Sequence, residues 1–86
     1  MFIINKHYEA TESNPNFKEA IKDFYYGKGG HTIGRENEFP CLWEIENYGY
    51  KTLAAAKKAL NAAQELCDWE NERGFWRVSV SLLQVQ

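Results

Sequence analysis

Residues 52 to 74 constrain this chain more than any other stretch. Thr52 can cap open backbone amides, the alanine-rich body that follows has high intrinsic helix propensity, and Gly74 stands where a left-handed closing residue belongs. Leu53, Ala56, Leu60, Ala63 and Cys67 recur at three-and-four spacing, with Ala59 and Leu66 on the flanks, so one face of the helix is built for burial. Because alanine is small, that face can lie close against a sheet.

The flanking segments supply the strands. Phe2 to Tyr8 combines β-branched and aromatic residues and reads as a first strand. In Phe75 to Val85, Trp76, Val78, Val80 and Leu82 point one way while Arg77, Ser79 and Ser81 point the other. Leu83 and Val85 break that polarity, which predicts cover on both faces or a bulge at the strand's end. Between these segments, Asn14-Pro15 predicts a helix start, and Phe17, Ala20, Ile21 and Phe24 form its apolar stripe as far as Gly27. Cys41, Trp43 and Ile45 alternate with Leu42, Glu44 and Glu46, which predicts a half-buried strand with the first set inward. Residues 47 to 51 turn the chain, with Tyr50 and Lys51 as a short arm pairing back. The expected fold is a small α+β two-layer sandwich spanning residues 1–86 as one domain. Its elements follow a β-α-β-α-β order, with a three- or four-stranded, mainly antiparallel sheet and two helices on one face. Its open face would carry Glu44, Glu46, Arg77, Ser79 and Ser81, with Arg77 paired to a glutamate.

Composition narrows the function classes. Hydrophobic residues at 44% and charged residues at 26% are ordinary globular values. A net charge of −2 argues against a chain that mainly wraps nucleic-acid phosphates. The apolar run at the N-terminus is too short for a signal-peptide core or a membrane span, so no membrane association and a cytoplasmic location are expected. Cys41 and Cys67 lack paired spacing and read as buried thiols. His7 and His31 lie in no recognisable catalytic context, and together with the two cysteines they show none of the spacings that preorganise zinc. Gly27 to Gly30 follows an expected helix and lacks the Gly-Lys-Ser/Thr ending of a phosphate loop. No enzyme activity, metal or cofactor is expected.

The charges on the long helix run against its dipole. Lys51, Lys57 and Lys58 lie towards its positive end and Glu65, Asp68 and Glu72 towards its negative end, where each such charge costs about 0.3 to 1 kcal/mol. The three acids form one stripe opposite the core set. Helical steps of about 100° put Trp69 roughly 40° from Glu65 and about 160° from Cys67, on the solvent side, with Arg73 four residues on and able to cover the ring. A charge arrangement that weakens the helix, beside an outward tryptophan, predicts a protein-binding patch for a partner with a basic surface: Glu65, Asp68, Trp69 and Glu72, with Glu44 and Glu46 as a second surface. In size and character such a chain resembles the small phage and mobile-element inhibitors of host defence nucleases, anti-CRISPR proteins among them; the resemblance implies inhibition by occupying a basic site and transfers no residue role. The competing class is a nucleic-acid-associated regulatory domain using Lys28, His31 and Arg35 with the neighbouring Tyr25 and Tyr26. An outward Trp69 could equally serve a homodimer.

Overall fold

The computed structural model describes residues 1–14 and 21–85. Strand β1, Phe2–Ala10, is the spine of the sheet, because it pairs antiparallel along its length with both β2, Ile21–Tyr26, and β4, Trp76–Gln84. The two-residue β3, Thr32–Ile33, adds to the outer edge of β2, giving a four-stranded sheet in the order β3-β2-β1-β4. Two helices, α1 over Leu42–Tyr48 and α2 over Leu53–Glu72, lie consecutively before β4. The α+β class, the antiparallel sheet and the number of helices among the described residues agree with the sequence reading, and α2 is the helix of the expected two that stands where the sequence places it. The order among described residues is β-β-β-α-α-β.

Register assigns the side chains to two faces. Ile4 lies between Tyr26 and Leu82, Lys6 between Phe24 and Val80, and Tyr8 between Lys22 and Val78, all on the face that receives α2. Fully buried Ala56 joins Ile4 and Tyr50 in one core, with Phe2, Tyr26, Ala59, Leu60 and Leu82 packed around it. Further along, Tyr8 meets Phe24 and Trp76 edge-on, with ring centroids 5.6 and 5.9 Å apart. On the opposite face Ile3, Ile33 and Ile45 form a second core with Met1, Tyr25, Leu83 and Val85. The end of β4 is therefore covered on both faces, as Leu83 and Val85 implied, and its pairing with β1 runs without a bulge.

Four details differ from the sequence reading. The stretch Ile21–Tyr26 is a strand, not the end of a helix: its β-branched and aromatic residues alternate against β1, and the helical spacing of Ile21 and Phe24 is coincidental. Residues 15 to 20, which carry the rest of that expected helix, lie outside the described residues. The second difference is α1, expected as a strand. Cys41 takes the extended N-cap position, the Glu44 carboxylate reaches back to its N–H (3.3 Å), and the Asn47 side chain donates to the Trp43 carbonyl (2.8 Å). Helical winding turns Trp43 and Cys41 outward and leaves Ile45 as the buried residue of the expected inward set. Third, the helices divide between the faces, since Ile45 of α1 packs with Ile3 and Ile33 while Ala56 of α2 packs with Ile4. Finally, Arg77 pairs with a glutamate, but with its register neighbour Glu9 (3.7 Å) rather than with Glu44 or Glu46. The expected arm at Tyr50 is present as a single bridge to Phe2.

Candidate functional site

Helix α2 begins as its sequence dictates, with the Ala55 N–H donating to the Thr52 hydroxyl (3.2 Å), and it runs unbroken to Glu72 before Gly74 turns at φ 81°. Its last two turns are held to the edge of the sheet. The buried Cys67 thiol donates to the Val78 carbonyl (2.9 Å), and the Asn71 side chain both donates to that carbonyl (2.9 Å) and accepts from the Val78 N–H (2.7 Å). These contacts lock the rotation of the helix and so decide what its outer face presents.

That outer face is the surface expected from the sequence. Trp69 is 57% exposed and Leu66, one turn earlier, is 62% exposed. The Arg73 guanidinium lies 5.1 Å from the Trp69 ring centroid, leaving one side of the indole open. Glu65, Asp68 and Glu72 are exposed alongside; Asp68 accepts from the Gln64 amide (3.0 Å), and no ion pair joins these three acids to any described residue. Phe75, also exposed, continues the patch past the helix end, where Leu66, Trp69, Glu70, Arg73, Phe75 and Trp76 enclose a shallow cleft of about 370 Å³.

Beside α2 runs a larger groove, of about 730 Å³, which sequence reasoning did not anticipate. It arises because one helix cannot cover four strands: α2 packs on β4 and β1 and leaves the β2 side open. Ile4, Tyr26 and Tyr50 form its floor and the small residues Ala55, Ala59 and Ala62 its wall. Lys6 lies at one end, bound to Glu70 (2.5 Å) and set over the Tyr8 ring. Burial disfavours its charge, but hydrogen bonds to Glu70 and Tyr8 outweigh that and hold the ammonium above its ordinary pKa.

The second expected surface changes character. Glu44 and Glu46 belong to α1 rather than to an open sheet face. Glu44 is a tether, accepting from the Gly34 N–H (2.7 Å) and from the Cys41 N–H; the Gly34 bond leads in holding its carboxyl below the usual range. Glu46 is exposed, one turn from Trp43, which is 62% exposed and meets Tyr48 edge-on. With Leu42 and Phe39 also exposed, α1 carries an acidic-aromatic patch of its own, on the opposite side of the sheet from α2.

The basic-loop residues are not brought into one platform. Lys28 and His31 are exposed at a short 3₁₀ turn, Lys28–Gly30, and Arg35 is exposed beyond β3. Tyr25 and Tyr26 project from opposite faces: Tyr25 meets Phe39 (5.2 Å), while Tyr26 joins the core under α2. The two rings cannot stack on one strand of bases together.

A polar cluster on the α1 side of the sheet was also missed. His7 lies in register with Asp23, its Nδ1 2.7 Å from Asp23 Oδ1 and its Nε2 3.2 Å from Glu9 Oε1. Asn5 donates to the same Asp23 oxygen (3.2 Å), and Asn37, at φ 61°, accepts from the Asp23 N–H (2.6 Å). The hydrogen bonds to Asp23 first and Glu9 second raise the imidazole pKa above its ordinary value. With a carboxylate at each nitrogen the ring ties β1 to β2 through Asp23 and engages Glu9 of its own strand. Among the described residues no group of three or more His, Cys, Asp or Glu side chains is placed to hold a metal ion, and no helix is long and apolar enough to cross a membrane.

Comparison of the chain with family models, with curated proteins and with solved structures found no match.

Proposed function

We propose that this chain is a non-enzymatic protein-binding module whose α2 face occupies a basic surface on a partner protein. The observation that carries the reading is the exposed Trp69-Leu66 pair set among Glu65, Asp68 and Glu72, acids that no described cation neutralises. A large aromatic and an aliphatic side chain supply area to be desolvated on binding, and the acids steer and register the partner's Lys or Arg groups. A basic surface that matches such a patch is typically one that binds phosphate, so the mode of action is competition with nucleic acid for the cations of a cytoplasmic nuclease or similar protein, as in the inhibitors of phages and mobile elements. Glu46 and Trp43 on α1 offer a second contact of the same chemistry.

The test is comparative capture of binding partners by the wild type, by Trp69→Ala/Glu72→Lys and by Lys28→Ala/Arg35→Ala. Loss of the captured protein with the first pair, and retention with the second, is the expected result. Unchanged capture with the first pair refutes the assignment, and loss of nucleic acid confined to the second pair transfers the function to the basic loop.

A further inference from the structure

The flank of α2 that walls the groove and continues to Trp69 repeats every seven residues. Ala55, Ala62 and Trp69 are seven apart, as are Ala59, Leu66 and Arg73, and the two series interleave at spacings of four and three. That is the period of a helix seam that receives another helix. Ala55, Ala62, Leu66 and Trp69 are exposed on the structure and Ala59 is half-buried beside the Ile4–Tyr50 core, whereas Ala56 and Cys67, about 120° and 140° round the helix from Ala62, are buried against the sheet. Along one flank of the seam stands a third series with the same repeat: Lys58, Glu65 and Glu72, all exposed.

We infer that the seam pairs with the same seam of a second copy of this chain, the two α2 helices running antiparallel about a twofold axis at Ala62. This inference rests on the reading of the α2 face as a protein-binding surface, and a second copy seated there competes with the basic partner for Trp69, Glu65 and Glu72. Antiparallel pairing makes the flanking charges self-complementary. Lys58 of each copy meets Glu65 of the other, a pair that occurs twice by symmetry, and Glu72 comes to lie beside the N-terminus of the neighbouring helix. Parallel pairing has no such match, because the flank would then face the series Ala56, Ala63 and Glu70, which is turned towards the chain's own sheet. Packing is complementary as well: the twofold places the Trp69 ring of each copy over the small Ala55 of the other, while Ala62 at the axis lets the backbones approach. The same arrangement accounts for the charge order along α2. The acids that oppose their own helix dipole come to lie beside the positive end of the neighbouring helix, and the lysines beside its negative end.

The experiment measures self-association by sedimentation equilibrium for the wild type, Lys58→Glu, Glu65→Lys, the double swap, and an equimolar mixture of the two single variants. Circular dichroism melts serve as the control for folding, since both positions are exposed. The wild type is expected to dimerise and each single variant to weaken the dimer about tenfold. The double swap restores self-association, and the mixture restores it between unlike copies, because each variant then supplies the charge that the other lacks. A wild type that stays monomeric, or a dimer that the single charge reversals leave unchanged, overturns the inference. A monomer whose partner capture still depends on Trp69 and Glu72 overturns it while leaving the binding-module reading intact, and a monomer whose capture does not depend on them overturns both.

Discussion

Replacing Glu70 by Gln tests how the space between α2 and the sheet is organised. Lys6 projects from the centre of β1 towards α2, its side chain only 12% exposed, with Phe24 and Val80 as register neighbours and the Tyr8 ring beneath its ammonium group. Glu70, 25% exposed, is its one carboxylate partner among the described ion pairs. Glutamine keeps the shape and an acceptor oxygen but removes the charge, leaving an ammonium in an apolar layer. Removing one member of a fully buried pair costs about 3 to 5 kcal/mol; with Glu70 at the rim, where water can approach, about 2 kcal/mol is expected. For a chain of this size that lowers the melting temperature by roughly 10 °C. Lys6→Met should cost less, about 1 kcal/mol, because the orphaned carboxylate is the better solvated member. Replacing both, as Lys6→Met/Glu70→Leu, should return stability to within about 1 kcal/mol of the wild type. Urea unfolding followed by tryptophan fluorescence and circular dichroism measures all three. If Glu70→Gln unfolds like the wild type, or if the double variant is as unstable as Glu70→Gln, the ammonium is not held by this pair and the account of the α2–sheet contact is wrong.

Two further outcomes follow from other contacts. Because the folded-state pKa of His7 is raised, its contribution to stability is full below the ordinary value of about 6.5 and fades as pH rises through the raised value. Unfolding free energy should therefore drop as pH rises above about 6.5 in the wild type, and the drop should shrink in His7→Gln; equal profiles would remove His7 from the account. Asn71→Ala leaves the Val78 N–H at the sheet edge without its side-chain partner and the Val78 carbonyl with the Cys67 thiol alone, and should cost about 1 to 2 kcal/mol, with faster amide exchange in residues 70 to 73 as the local sign.

What was legible in the sequence is what local chemistry decides. Thr52 and Gly74 bound α2, its three-and-four spacing gave the buried Ala56 and Cys67, and alternation placed Val78 and Leu82 inward on β4. The misreadings fall where two periodicities fit equally well. Residues 41 to 46 alternate like a strand, yet six residues are also a turn and a half of helix, and the Glu44 carboxylate at Cys41 decides for the helix. Ile21–Tyr26 becomes a strand through its pairing with β1, a contact between residues far apart in sequence. The same dependence hid the His7 cluster, since His7 meets Asp23 only once the register is set, and it hid the groove, which exists because α2 leaves the β2 side of the sheet uncovered.

The charge order of α2 separates what stabilises this helix from what its surface does. In isolation, acids at the negative end of a helix would fray the last turns, at about 0.3 to 1 kcal/mol for each charge. The helix nonetheless reaches Glu72, because Cys67 and Asn71 fix it to Val78 with hydrogen bonds that do not involve the acids. Tertiary contacts on the inner face thus offset the local cost and leave the outer face unconstrained by the fold. Among the described residues Glu65 and Glu72 join no ion pair, so no described ion pair within the single chain accounts for their placement on one flank, seven residues apart and in series with Lys58. The proposed antiparallel pairing would supply a reason for this arrangement that the isolated helix lacks. The aromatic patch of α1 lies on the far side of the sheet, so the proposed pairing of α2 would leave it exposed.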